Sequence, residues 1–140
     1  MMVNIKLPKK ESKKFIEDFF IKKGLKSLVI ESKKKTILNN KLSSKKTFSP
    51  ELKDLYRLYK FIILNNRTTI MEFGSGWSSL IFNLALNDLK KKNSKKTKLL
   101  RRKNLFELFI LENNKKYLSI SKNRIKNYNN ILKIKNPIKV

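Results

Sequence analysis

The chain has 140 residues and a formal net charge of +25, from 35 Lys and Arg against 10 Asp and Glu, with neither His nor Cys. That length allows one domain of modest size, and a 40% hydrophobic content is enough for a core. Lack of Cys excludes a disulfide framework and thiolate metal sites, while lack of His removes the commonest zinc ligand and the usual proton carrier near neutral pH. Zinc chemistry and hydrolytic triads fall away together, and no metal ligand set and no catalytic residue can be assigned.

Two readings of the charge compete. A basic surface attracts nucleic acid or anionic membrane, but here Lys is spread along almost the whole chain. Arg is confined to Arg57, Arg67, Arg101, Arg102 and Arg124. Diffuse Lys gives non-specific attraction to polyanions and names no partner. The longest apolar runs, such as 61–64 and 108–111, are far below the ~20 residues that cross a bilayer. The first residues lack the apolar stretch of a secretory signal, so the cytoplasm is the default location.

Residues 1–48 read as a Lys-rich, partly helical N-terminal extension. Phe15, Ile16, Phe19 and Phe20 follow helical spacing over about 11–26, and Gly24 marks the end. Val29-Ile30 and Thr36-Ile37-Leu38 read as short extended pieces, with Asn39-Asn40 and residues 43–46 as loop. The segment either packs on the following domain as an appendage or covers its ligand.

The next helix is better specified. Ser49 is a candidate cap, Pro50 suits the first helical position, and Glu51 favours the positive end of the dipole. Leu52, Leu55, Tyr56, Tyr59, Ile62 and Ile63 recur on one face, and Asn65-Asn66 ends it. The two tyrosines read as core with their hydroxyls reaching water. Thr68 to Phe73 is a short strand, broken at Gly74-Ser75-Gly76. A helix carrying Leu80, Ile81, Leu84 and Ala85 runs to about Lys90, and residues 91–98 are a solvated helix end or loop. Phe106 to Leu111 is a second strand. Tyr117, Ile120, Arg124, Ile125 and Tyr128 share a face of the following helix, residues 131–134 read as the opening of a third strand, and Pro137 bars a helix near the end.

Strand, glycine turn, helix, strand, acid, helix is the order of a βαβ unit with a helix appended. The fold class expected is α/β, with an incomplete Rossmann-like domain over 49–140. Two strands are too few for an open parallel sheet, which points to a truncated domain, or else to strands supplied by another chain.

Gly74 and Gly76 lie where a strand hands over to a helix, the place where backbone N–H groups can approach a ligand. Ser79 is small at the third position of the Gly-x-Gly-x-x-Gly spacing, and no Gly-Lys-Ser/Thr follows, which argues against a phosphate-gripping ATPase loop. Glu72 is a carboxylate in an apolar strand, costly unless hydrogen-bonded or faced by a cation. Glu112 ends the second strand, where nucleotide-binding βαβ units bond the ribose hydroxyls. The plainer reading makes it an acid near a helix start.

Glu72-Phe73-Gly74-Ser75-Gly76-Trp77-Ser78-Ser79, with Glu112 closing the next strand, resembles the N-terminal, cofactor-binding half of class I S-adenosylmethionine-dependent methyltransferases. The nearest pattern is that of small methyltransferase-like proteins whose first motif reads E-F-G-S-G-x-S-T. The resemblance covers about residues 50–135. It implies S-adenosyl-L-methionine as cofactor and a methyl acceptor that the sequence leaves unidentified. By the resemblance, Glu72 lies near the cofactor's amino group, Gly74 and Gly76 pass against it, and Glu112 grips its ribose. Phe73, Ser75, Trp77 and Ser78 complete the motif. The chain departs from the pattern in the long link to Glu112 and in the portion beyond a third strand, which in the family supplies adenine and acceptor contacts. A dinucleotide-binding oxidoreductase fragment would want Gly at position 79 and a shorter reach to the second acid. A basic nucleic-acid-binding protein, or a non-catalytic interaction protein, is a further alternative.

Overall fold

The computed structural model describes residues 4–34, 49–93, 95 and 105–140. The described residues form a mixed α/β structure of five helices and one two-stranded parallel sheet: α1 (Lys13–Lys22), α2 (Lys26–Lys33), α3 (Leu52–Leu64), β1 (Thr69–Phe73), α4 (Trp77–Lys92), β2 (Glu107–Leu111) and α5 (Lys115–Ile131). The chain divides into two compact units, with the break within α3 after Tyr56. Lys9–Tyr56 is one unit; Arg57–Val140 and the first eight residues are the other.

In the first unit, the Ser12 hydroxyl oxygen accepts the Phe15 N–H at 3.2 Å and starts α1. Gly24, at φ +79°, stops it. There the Gly24 N–H reaches the Ile21 carbonyl and the Leu25 N–H reaches the Phe20 carbonyl, a paired closure that needs a left-handed residue between them. The helix expected over about 11–26 with its end at Gly24 is α1, and a second helix, α2, follows directly after the turn. Val29-Ile30, expected to be extended, lies inside α2, because Leu28 and Val29 bury against the core made by Leu25, Ile16 and Phe20, and burial outweighs their local preference. Phe15 and Phe19 meet Tyr56 edge-on, with centroids 6.1 and 5.1 Å away. Helix α3 starts at Leu52, later than Ser49-Pro50 implied: the Glu51 carbonyl accepts the Leu55 N–H, and the Ser49 hydroxyl donates to the Lys34 carbonyl. The expected strand and loops between 36 and 46 fall outside the described residues.

In the second unit, α3 ends as expected at Asn65-Asn66, with Asn66 left-handed at φ 48°. Tyr59 is buried, but its hydroxyl donates to Asp88 at 2.7 Å rather than to water. β1 and β2 pair in parallel with Thr69 opposite Glu107 and Phe73 opposite Leu111. Strand alternation splits their side chains between two faces. On one, Glu72 and Leu108 are buried beside α4; on the other, Met71, Phe73, Phe109 and Leu111 are all exposed. Helix α4 buries residues around most of its circumference, from Ser79 to Leu89, which makes it the central helix of this unit.

The expected third strand at 131–134 is instead the end of α5. Lys133 turns left-handed at φ 49°, and the Ile134 N–H returns to the Asn129 carbonyl. A strand-like pairing does occur further on: the Leu108 N–H donates to the Lys139 carbonyl at 3.0 Å, and Glu107 and Lys139 form a parallel bridge. The spatial order is thus the Lys139 segment, β2, then β1. That last segment is held by α4. The Asn87 side-chain oxygen accepts the buried Ile138 N–H at 2.9 Å, and the Lys90 ammonium donates to the Asn136 carbonyl at 2.8 Å. Asn87 also donates to Asn83, which donates to Asn129 on α5.

Candidate functional site

The carboxyl ends of β1 and β2 open onto a cavity of about 600 Å³ lined by Gly74, Ile110, Leu111, Glu112 and Asn113. Parallel sheets place ligands there because the strand-to-helix turns leave backbone groups and side chains facing the crevice. The Gly74 N–H extends the ladder to the Leu111 carbonyl at 2.8 Å while its φ of +92° turns the chain out of the sheet. That left-handed turn is the conformational reason for Gly at position 74. Gly76 differs: its φ of 175° is ordinary extended backbone. A Cβ built on either glycine meets nothing within 4 Å, so both face open space.

The residues singled out from sequence separate into two clusters. The upper one joins Ser75 and Glu112: the Ser75 hydroxyl donates to one Glu112 oxygen at 3.0 Å, and the Asn114 N–H donates to the other at 2.9 Å. Asn114 in turn caps α5 by accepting the Lys116 and Tyr117 N–H groups. Glu112 is held below the ordinary carboxylate range, first by the Asn114 N–H and then by the Ser75 hydroxyl. Weaker contributions come from the backbone N–H groups of Ser75 and Asn113, so the carboxylate sits among several donors at the cavity edge.

The lower cluster surrounds Glu72, which is 9% exposed. Both of its oxygens are taken by hydroxyl donors at the start of α4, one by Ser78 and the other by Ser79 at 2.6 Å. The Ser79 oxygen also accepts the Gly76 N–H at 3.2 Å. Burial pushes the Glu72 carboxyl up, the two serines draw it back, and the Glu112 charge adds a smaller upward push. Glu72 therefore ties the strand to the first turn of α4 beneath the glycine turn and does not line the cavity.

Two motif residues point elsewhere. Phe73 is 80% exposed on the sheet face away from α4. Trp77, the only tryptophan in the sequence, lies under the Arg124 guanidinium, 3.7 Å from its ring centre. The sequence puts Arg124 on one face of α5 with Ile125 and Tyr128 but gives no sign of its stacking partner, which comes from a different element. Ser79 was visible only as a small residue; its 0% exposure and two hydrogen bonds give it a larger part. Asn113 was missed because a turn asparagine carries no distinguishing signal. Among the described residues, no group of three or more acidic side chains could hold a metal ion, and no helix is long and apolar enough to cross a membrane.

Comparison of the chain with protein-family models, curated proteins and solved structures finds no match.

Proposed function

We propose that this chain carries the cofactor-binding half of a Rossmann-like methyltransferase domain, with S-adenosyl-L-methionine as its ligand. The observation that carries this reading is Glu112: a carboxylate at the end of β2, held in its charged form by hydrogen bonds and standing on the same cavity wall as Gly74. The order of the Lys139 segment, β2 and β1 supports it, because a third strand outside the second is how doubly wound sheets begin. The open space beside both glycines is a cradle into which a ligand can settle against backbone N–H groups.

Within this reading Glu112 takes the ribose hydroxyls, and Gly74, Ser75 and Gly76 line the approach to the rest of the cofactor. Glu72 sets the shape of the turn from below, and its negative charge favours a cationic ligand above it. When bound, S-adenosylmethionine supplies an activated methyl group on a sulfonium, so the protein's task is to position and to exclude water. Ser79 sets this site apart from a dinucleotide cradle. Its hydroxyl bridges the Gly76 N–H and Glu72, a link that Gly at the same position could not make.

Titration calorimetry with S-adenosylmethionine and S-adenosylhomocysteine tests the reading, and Trp77 fluorescence gives a second readout beside the turn. Saturable binding is expected, with NAD binding at least about tenfold weaker. Glu112→Gln should weaken it by about 1.5–3 kcal/mol, the range for a hydrogen bond to a charged group. Binding that ignores Glu112→Gln, or prefers NAD, would sink the assignment.

The two glycines give an independent check. Gly74→Ala should destabilise the fold by roughly 1–2 kcal/mol through left-handed strain, whether or not a ligand is bound. Gly76→Ala should leave thermal stability unchanged yet weaken cofactor binding, since its new methyl would occupy only the space the ligand needs. If Gly76→Ala binds like the parent chain, the cofactor does not pass there.

A further inference from the structure

A second groove, between the later half of α5 and the terminal segment, has chemistry unrelated to the glycine turn. From Asn113 to Val140 the chain contains no Asp or Glu, but seven Lys and Arg124. Lys115, Lys122 and Lys126 stand at steps of seven and four along α5 and are all exposed, so they form one stripe. At 1.5 Å per residue, that stripe is about 16 Å long. Beside its lower half is a groove of about 310 Å³ between α5 and the terminal segment. Lys122, Lys126, Asn129 and Asn130 stand at its polar side, and the buried Ile125 and Ile138 are among its apolar lining.

We propose that this groove binds single-stranded nucleic acid, with the lysine stripe following the phosphates and the groove receiving an unpaired base. Each part of the surface matches one part of that ligand. Ammonium groups spaced along a helix suit a row of phosphates, which a single anion would not need. Carboxamides above an apolar floor suit a base, whose flat faces are apolar and whose edges carry donors and acceptors. Asn129 is fixed by the Asn83 amide, which donates to its side-chain oxygen at 2.9 Å and leaves its own NH₂ to donate. A duplex would have its base edges already paired. An anionic membrane is a poorer match, because the exposed apolar residues of α5, Tyr117, Ile120 and Ile131, stand across the helix from the lysine stripe and could not insert beside it. The proposal is independent of the cofactor reading: the two cavities share no lining residue.

The test is fluorescence anisotropy with a mixed-sequence single-stranded RNA of about twelve nucleotides, long enough to span the stripe. The comparison ligands are an abasic strand of equal charge, heparin, and phosphatidylserine vesicles. Lys122→Gln/Lys126→Gln should weaken RNA binding about tenfold, and should make the salt dependence shallower by about 1.4, at about 0.7 per lost phosphate contact. Lys14→Gln/Lys22→Gln, the same charge change at exposed sites on α1, should weaken it less than about twofold. Circular dichroism establishes that both variants are folded. Equal losses from the two double variants would overturn the proposal. So would equal affinity for the abasic strand or heparin, tighter binding to vesicles, or no RNA binding at low salt.

Discussion

Glu72→Ala is expected to cost the fold roughly 2–4 kcal/mol, and Glu72→Gln less than about 1 kcal/mol at neutral pH. Alanine removes the carboxylate that accepts from the hydroxyls of Ser78 and Ser79 and leaves a cavity under the glycine turn. Glutamine keeps an acceptor and the volume while removing a carboxylate that burial has made costly. The two variants also separate by pH. Because the folded-state pKa of Glu72 is raised above its ordinary value near 4.5, the folded chain holds that proton more tightly than the unfolded chain does. Its contribution is fully present below 4.5 and is lost as pH rises through the raised folded value. Glu112 has the opposite sign: its lowered pKa contributes stability present above 4.5, which is lost as pH falls through the depressed value. Thermal denaturation of Glu72→Gln and Glu112→Gln across the acid range should therefore show pH slopes changed in opposite directions. If Glu72→Gln proves as unstable as Glu72→Ala, the charge itself holds the turn.

Asn87→Ala is expected to destabilise the second unit by roughly 2–3 kcal/mol and to release the terminal segment first. The substitution strands the buried Ile138 N–H and removes a donor from Asn83. In hydrogen exchange, amides of 136–140 and the Leu108 N–H, which depends on the Lys139 carbonyl, should lose protection ahead of the core of α4. Unchanged protection at Leu108 would mean that the bridge to Lys139 holds without α4. Asn87→Asp keeps the acceptor for Ile138 but sets a negative charge against the Asn83 side-chain oxygen, so it should fall between the parent and alanine.

What could be read from the sequence was local. The β1–turn–α4 order follows from a β-branched start, two glycines and an apolar period, all within twenty residues. The end of α3 was equally plain, since asparagine tolerates the left-handed conformation that Asn66 adopts. The C-terminal part misled because Ile131, Leu132 and Ile134 read as a strand, while the left-handed turn falls on Lys133, which carries no sign of it. Val29-Ile30 misled in the same way: a β-branched pair went into a helix because Val29 and the preceding Leu28 had a core to reach, while Ile30 stays exposed. At the site, the positions of Glu72 and Glu112 were legible but their partners were not. Hydrogen bonds from Ser78, Ser79 and Ser75 depend on how the chain reverses, and the stack of Arg124 on Trp77 joins residues 47 positions apart.

Among the described residues, the sheet face away from α4 exposes Met71, Phe73, Phe109 and Leu111, which bears on the colloidal behaviour of the chain. A flat apolar patch next to an unclosed strand is adhesive toward copies of itself. The charge of +25 opposes that adhesion by keeping molecules apart at long range. Repulsion of this kind reaches about 10 Å at 0.1 M salt but only about 3 Å at 1 M, whereas apolar adhesion survives added salt. Solubility should therefore fall as salt rises, and anything that neutralises the lysines should favour association through this exposed face.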